Sequence, residues 1–215
     1  MIKKIKEKIN TDFSGFLFSK LRGYRLTFFS FLSTQFSYVL FWLKKIEIKK
    51  QCLFFGIPIV NRHYNSNISI GSKCVFRSDK KSNLVGLNRR CIISTFNEGV
   101  KIKIGDNSGF SGTVIGAANS ITIGNNVLSG ANVLITDFDW HPIDPVKRHT
   151  SEGVISAPIT IGDNVWLGIN AVVLKGVTIG KNTVIGANSL VVSDIPENVI
   201  AAGNPCKVLK PLISE

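Results

Sequence analysis

The sequence predicts an all-β protein, a parallel coil of short strands preceded by a helical segment, and three observations predict it. Ile161, Leu167, Val173, Ile179, Ile185 and Val191 recur six residues apart without a miss. A second series, Val165, Ala171, Val177, Thr183 and Ser189, runs beside it at the same spacing and is mostly small or β-branched. Ile-Gly followed by polar residues recurs at Ile70, Ile104, Ile123, Ile161 and Ile179. A period of six suits neither a helix nor one long strand, whose side chains repeat every 3.6 and 2 residues. It suits a strand and a turn repeated round a coil, each aliphatic residue pointing inward onto its equivalent in the next coil. One hexad cannot bury its side chain alone, so stability comes from stacking.

The chain divides into residues 1–50, 51–200 and 201–215. Of the net charge of +12, residues 1–50 carry 11 Lys/Arg against 3 Asp/Glu, a net +8, and residues 51–215 carry 15 against 11. The basic character thus belongs to the first segment, which holds the uncharged run Leu26 to Leu43 between Lys20, Arg22 and Arg25 and Lys44, Lys45, Lys49 and Lys50. Eighteen residues lie at the lower edge of spanning length. Polar residues at 27, 30, 33, 34 and 37 fall on one helical stripe. Such one-sided polarity suits a helix lying in a membrane interface through residues 20–50, or a helix docked on protein. Basic flanks add attraction to anionic headgroups, about 1 kcal/mol per residue near the surface. A cleaved leader is disfavoured, because the apolar run starts late and no small-residue cleavage site follows it.

From residue 51 the coil is expected, with irregular early turns: Ile68-Ser-Ile70-Gly71 reads as a hexad, whereas 77–100 does not keep phase. Gly162-Asp163-Asn164 and Gly180-Lys181-Asn182 are turn sequences that tolerate backbone angles other residues resist. Ile104 and Ile123 are 19 apart where 18 would hold register, and Ile123 and Ile161 are 38 apart where 36 would. The second slip marks an excursion loop near 138–158, rich in charge and proline. Residues 201–215 are expected as a C-terminal tail.

Several function classes recede. No zinc-finger spacing, RNP-like motif or basic recognition helix accompanies the positive charge, so nucleic acid is not expected as a partner. Cys52, Cys74, Cys91 and Cys206 form no CxxC pair and no ligand-like spacing with the three histidines, so no metal is expected. They read as small buried hydrophobes of a reducing compartment.

Residues 66–210 resemble the hexapeptide-repeat acyltransferases, in particular the galactoside, maltose and surface-polysaccharide O-acetyltransferase branch. The resemblance is carried by an ordered set: Asp139-Trp-His-Pro-Ile-Asp-Pro145, Pro158-Ile-Thr-Ile-Gly-Asp-Asn-Val-Trp166-Leu-Gly, Ile185-Gly-Ala187-Asn-Ser, Asp194-Ile-Pro-Glu-Asn and Ala201-Ala-Gly-Asn-Pro-Cys-Lys-Val. It implies a left-handed parallel β-helix, a homotrimer with active sites between subunits, acetyl-CoA as co-substrate and a sugar or glycan hydroxyl as acceptor. The acceptor reading is a cell-surface polysaccharide or its lipid-linked precursor. A small soluble acceptor such as a free sugar or an antibiotic, and a non-catalytic β-helix scaffold, are the alternatives. A zinc hydratase on the same coil would need all three histidines as ligands. The implied location is the cytoplasm, with peripheral contact at the inner face of a bacterial membrane.

Within that resemblance His141 stands where the family keeps its general base. A neutral imidazole, with an ordinary pKa of about 6.5, can take a hydroxyl proton near pH 7. Asp137 and Asp139 are positioned to orient it or to bond a sugar, or form a solvated acidic turn. Trp166 would line the slot near the thioester, or pack as a coil-corner aromatic. Ile169, Ala187, Val192 and Ser193 match the pantetheine groove, and Lys207 and Lys210 stand where relatives often carry arginines facing the CoA phosphates. Lysine keeps the charge there and loses the bidentate fork. Ser111 occupies the place of an asparagine that sugar-acetylating relatives carry, and either donates one hydrogen bond to the acceptor or oxyanion or is a small coil residue. His63 and His149 read as loop residues.

Overall fold

A computed structural model describes residues 11–150 and 152–212. Residues 1–10 of the basic segment, Ser151 of the excursion and residues 213–215 lie outside the described residues. Helix α1, Phe13–Leu43, precedes a coil with three flat faces. Face A stacks the strands Glu47–Ile48, Asn67–Ile70, Lys101–Ile104, Ser120–Ile123, Ile159–Ile161 and Thr178–Ile179. Face B stacks Leu53–Phe55, Val75–Arg77, Gly109–Ser111, Leu128–Ala131, Trp166–Leu167 and Val184–Ile185, then Val199–Ala202 and Lys207–Pro211. Face C stacks Ile59–Asn61, Ile92–Thr95, Val114–Ala117, Leu134–Thr136, Val172–Val173 and Leu190–Val191. Pairing along each face is parallel, except that Lys207–Pro211 runs antiparallel to Val199–Ala202. The segment beyond residue 200, expected as a tail, therefore continues face B as a hairpin.

The six-residue series is the core. Ile161, Leu167, Val173, Ile179, Ile185 and Val191 are all buried and visit faces A, B and C in turn. Corners between faces A and B place Asn126, Asn164, Asn182 and Asn198 at φ of 57°, 59°, 58° and 57°. Left-handed angles are costly for most L-residues and tolerated by Asn. Their side chains form a ladder, each Nδ2 donating to the next Oδ1 at 3.0, 2.8 and 2.8 Å.

Both register slips have a local cause. Core positions Ile104, Phe110, Ile115 and Ile123 lie six, five and eight residues apart, while strand pairing keeps Ile104 beside Ile123 and Ile115 beside Ile135. That coil is one residue short between faces B and C and two residues long between C and A, at Ala118–Asn119. In the next coil Ile123, Ser129 and Ile135 keep the six-residue step, so all the surplus before Ile161 lies after Ile135, where the excursion leaves the edge between faces C and A. The out-of-phase stretch near 77–100 contains a second excursion, residues 78–91, which leaves the edge between faces B and C.

Helix α1 closes the open end of the coil with its polar stripe. A first coil has no neighbour on one side, so the strand Leu53–Phe55 would otherwise leave backbone groups unpaired. Thr34 Oγ1 accepts from Phe54 N at 3.0 Å, Ser33 Oγ donates to Phe54 O, and Gly56 N donates to Ser33 Oγ at 3.2 Å. Tyr38 OH accepts from Cys52 N at 3.0 Å and donates to Lys49 O at 3.1 Å. Phe41 meets Phe54 edge-on at 5.4 Å, and Phe54, Phe76 and Phe110 stack up the core at 5.1 Å intervals. Of the two sequence readings for the stripe, docking on protein describes this face. The aromatic residues of the run point away from the coil: Phe28, Leu32, Phe36, Val39 and Leu43 are each 47–65% exposed. All four cysteines are buried and free.

Candidate active site

The excursion that carries His141 is pinned to the coil at its root. Phe96, Phe138 and Trp140 pack as a triad with ring centroids 4.7–5.2 Å apart. Phe138 bridges Ser156 antiparallel, and Asp139 N donates to Ile155 O at 2.9 Å. Lys175 Nζ lies 2.6 Å from Asp139 Oδ1, with both side chains about a quarter exposed. These contacts hold His141 exposed at the edge between faces C and A, two residues beyond the ion pair. Val192 and Ser193 lie on the same edge, just after the strand Leu190–Val191, and are exposed.

Asp137 leaves the candidate acceptor set. It is fully buried, and its oxygens accept from Ala118 N at 2.7 Å and Asn119 N at 3.0 Å, the two surplus residues of the preceding coil. Burial pushes its carboxyl above the usual carboxylate range, against those two amides, which favour the ion. It shapes the edge from beneath and has no surface to offer a sugar. Asp139 is not part of an open acidic turn: its side chain is about a quarter exposed and its Oδ1 pairs with Lys175 Nζ. Its Oδ2 is buried without a hydrogen-bond partner among the described residues.

The other candidates lie across face C, on the edge between faces B and C and on face B itself. Backbone bonds at 2.8–2.9 Å link Ser111, Ala131, Ile169 and Ala187 into one column, through Asn132 N to Ser111 O, Asn170 N to Ala131 O and Asn188 N to Ile169 O. The column is tight: a Cβ on Gly130 would meet Ile169 N at 2.7 Å, and one on Gly168 would meet Ala187 N at 2.6 Å. The wall is therefore mostly backbone. Trp166, 54% exposed on face B, pairs with Val184, which pairs with Ile200, which pairs with Lys210. At a strand spacing of about 4.8 Å, Lys210 stands about 14 Å along the face from Trp166. Lys207 sits on the same hairpin strand opposite Ala202. Both lysines are exposed, and Trp166 is a surface aromatic and not a packed corner.

Ser111 is buried and its Oγ accepts from Asn83 Nδ2 at 3.2 Å. Asn83 belongs to the second excursion, and nothing in its surroundings in the sequence marks it; only the lost phase of 77–100 hinted at an insertion. A cavity of about 270 Å³ opens on face B beside Ser111, between Arg77 and Leu128. Phe96 and Lys175 were equally invisible, because their partners are distant in sequence. His63 lies on the edge between faces C and A in the first coil, well below the larger excursion, and His149 lies within that excursion; no group of three or more His, Cys, Asp or Glu among the described residues is placed to hold a metal ion.

One chain thus divides the candidate residues between two candidate half-sites. His141, Val192 and Ser193 occupy one edge; Ser111, Ile169 and Ala187 occupy the next, with Trp166 on face B beyond it. Between them lies face C, roughly 15 Å of extended chain. An imidazole on one edge cannot reach a thioester or hydroxyl held at the other.

Comparison with known proteins agrees with this architecture. The family profile for bacterial transferase hexapeptide (six repeats) matches residues 158–193. The galactoside O-acetyltransferase of Escherichia coli (strain K12) is 45% identical over 119 residues, 54% of this chain and 57% of that protein. A putative lipopolysaccharide biosynthesis O-acetyl transferase of the same organism is 36% identical over 106 residues, 45% of this chain and 53% of its own length. This chain therefore spans little more than half the length of these curated relatives. A solved galactoside acetyltransferase in complex with coenzyme A is 31% identical and superposes with a TM-score of 0.51, covering 78% of this chain and 65% of that one. The six-residue period, the three-faced coil and these matches together make the chain a member of the hexapeptide-repeat acyltransferase family, with its left-handed parallel β-helix.

Proposed function

We propose that the protein transfers an acetyl group from acetyl-CoA to a sugar hydroxyl, in sites formed between copies of a homotrimer. The observation that carries this reading is the division of the candidate residues: His141 lies on a pinned loop at one edge, the backbone column lies at the next, and Trp166 lies on face B beyond it. When the His141 edge of one copy faces the column and Trp166 of another, the imidazole stands over the slot.

His141 then takes the proton of the acceptor hydroxyl as its oxygen bonds the acetyl carbonyl carbon. The carbon–sulfur bond breaks, and the thiolate of CoA leaves with that proton. Ser111 and Asn83 stand at the acceptor end as neutral hydrogen-bonding groups. Lys210, about 14 Å from Trp166, and Lys207 on the same strand supply positive charge for the phosphates at the far end of the arm.

The acceptor class is a cell-surface polysaccharide or its lipid-linked precursor. The similarity to a putative lipopolysaccharide biosynthesis O-acetyl transferase supports it. The similarity to a galactoside O-acetyltransferase favours a second reading, a small soluble sugar. The deciding experiment is acetyl-CoA-dependent mass gain on a panel of free sugars and glycans. Wild type is expected to transfer, and His141→Ala at equal folded concentration to lose about 10²–10⁴ in rate. Failure to bind acetyl-CoA would overturn the reading.

A further inference from the structure

We propose that the outward face of helix α1 is a docking surface for an anionic lipid bilayer, so that the protein stands on a membrane by the capped end of its coil. The polar stripe is already used: Ser33, Thr34 and Tyr38 bond the backbone of residues 49–56, so the helix cannot cross a bilayer while it caps the coil. The arc opposite is apolar and, among the described residues, without cover. Phe28, Leu32, Phe36, Val39 and Leu43 are each about half exposed or more, over an uncharged run that spans about 27 Å. Exposed apolar surface of this extent on one helix face marks an interaction site.

Charge identifies the occupant. Residues 20–50 carry seven Lys/Arg against one Glu, three ahead of the apolar run and four behind it. Two of these cations lie over rings of their own helix, Lys20 on Phe16 at 5.8 Å and Arg25 on Phe29 at 5.7 Å. An apolar arc bounded at both ends by cations matches a headgroup region above acyl chains. A protein partner would have to supply anions at both ends of one groove.

The second excursion extends the surface. Arg22 Nη2 donates to Lys81 O at 3.2 Å, tying residues 78–91 beside the helix. Between them Phe18, Leu21, Phe29 and Leu84 line a cleft of about 490 Å³, with Arg22, Arg25 and Lys81 among its walls. Leu84 and Val85 at the loop tip are 78% and 67% exposed. Trp166 lies away from this end, four strand steps above Leu53–Phe55 on face B, about 19 Å, whereas Ser111 lies two steps above and its partner Asn83 belongs to the excursion that carries Leu84. The proposal does not rest on the transfer chemistry.

Flotation of the full chain with vesicles tests it. Vesicles of phosphatidylcholine alone are compared with vesicles in which a third of the lipid is phosphatidylglycerol. The protein is expected to float with the anionic vesicles, and less so at high salt. Leu32→Gln with Phe36→Gln is expected to lower partitioning at least tenfold, with sedimentation mass and unfolding midpoint unchanged. Lys20→Gln with Arg25→Gln leaves the apolar arc intact and is expected to lower partitioning roughly tenfold or more on the anionic vesicles alone. Absence of flotation, or flotation indifferent to the apolar pair, overturns the proposal. So does a fall in sedimentation mass of the apolar variant, which would assign the face to a second copy of the chain. Acetyl transfer is not a readout, so a failed acceptor panel and a failed flotation remain separate results.

Discussion

Asn182 shows how much one side chain does in a repeat. It holds φ 58°, accepts from Asn164 Nδ2 and donates to Asn198 Oδ1, joining three successive coils at one corner. Alanine loses both bonds and strains the left-handed angle; glycine loses the bonds and keeps the angle. We expect Asn182→Ala to destabilise by about 2 kcal/mol and Asn182→Gly by about half as much, measured by urea unfolding. Corner asparagines of this kind were legible in the sequence as Gly-Asp-Asn and Gly-Lys-Asn turns. Asp137 was legible only as an acid near the base. Its role under Ala118 and Asn119 depends on a coil 18 residues earlier in the chain, whose two-residue surplus no motif announces.

At the scale of elements, α1 replaces a missing strand. Its hydroxyls supply the acceptors and donors that a preceding coil would have given to Leu53–Phe55, and Phe41 seats on the lowest ring of the phenylalanine stack. Replacing Thr34 by valine keeps the shape and leaves the Phe54 amide without an acceptor, while serine keeps the hydroxyl. Thr34→Val is therefore expected to cost about 1–3 kcal/mol in unfolding free energy and Thr34→Ser much less. Periodicity located the polar stripe correctly. It did not say which side meets protein, because a moment has direction only relative to an environment. Aromatic residues usually seek the core, and here that habit is overridden by the open end of a coil, which presents unpaired backbone.

For the whole molecule, the proposed division of the site between edges makes catalysis a property of the proposed assembly. Under the proposed trimer, His141→Ala lacks the base edge, and a Trp166→Ala chain, once shown to be inactive, lacks a working slot. Mixed and reassembled, the two inactive variants are expected to regain part of the wild-type rate, because some interfaces pair one intact edge with the other. Rates of the mixture no higher than those of the separate variants would contradict the shared site. The same experiment with the double variant His141→Ala/Trp166→Ala and wild type gives the statistical reference.

The sequence by itself determined the coil, its six-residue register, the place of the larger excursion and the position of His141. Each of these is a local pattern, repeated in the chain or carried by contiguous residues. Tertiary structure alone decided the rest. It joined Asn83 to Ser111 across 28 residues and Lys175 to Asp139 across 36, set the two half-sites on different edges, and turned the aromatic face of α1 outward. These are facts of where coils stack and which edges they leave open, and a one-dimensional period does not contain them.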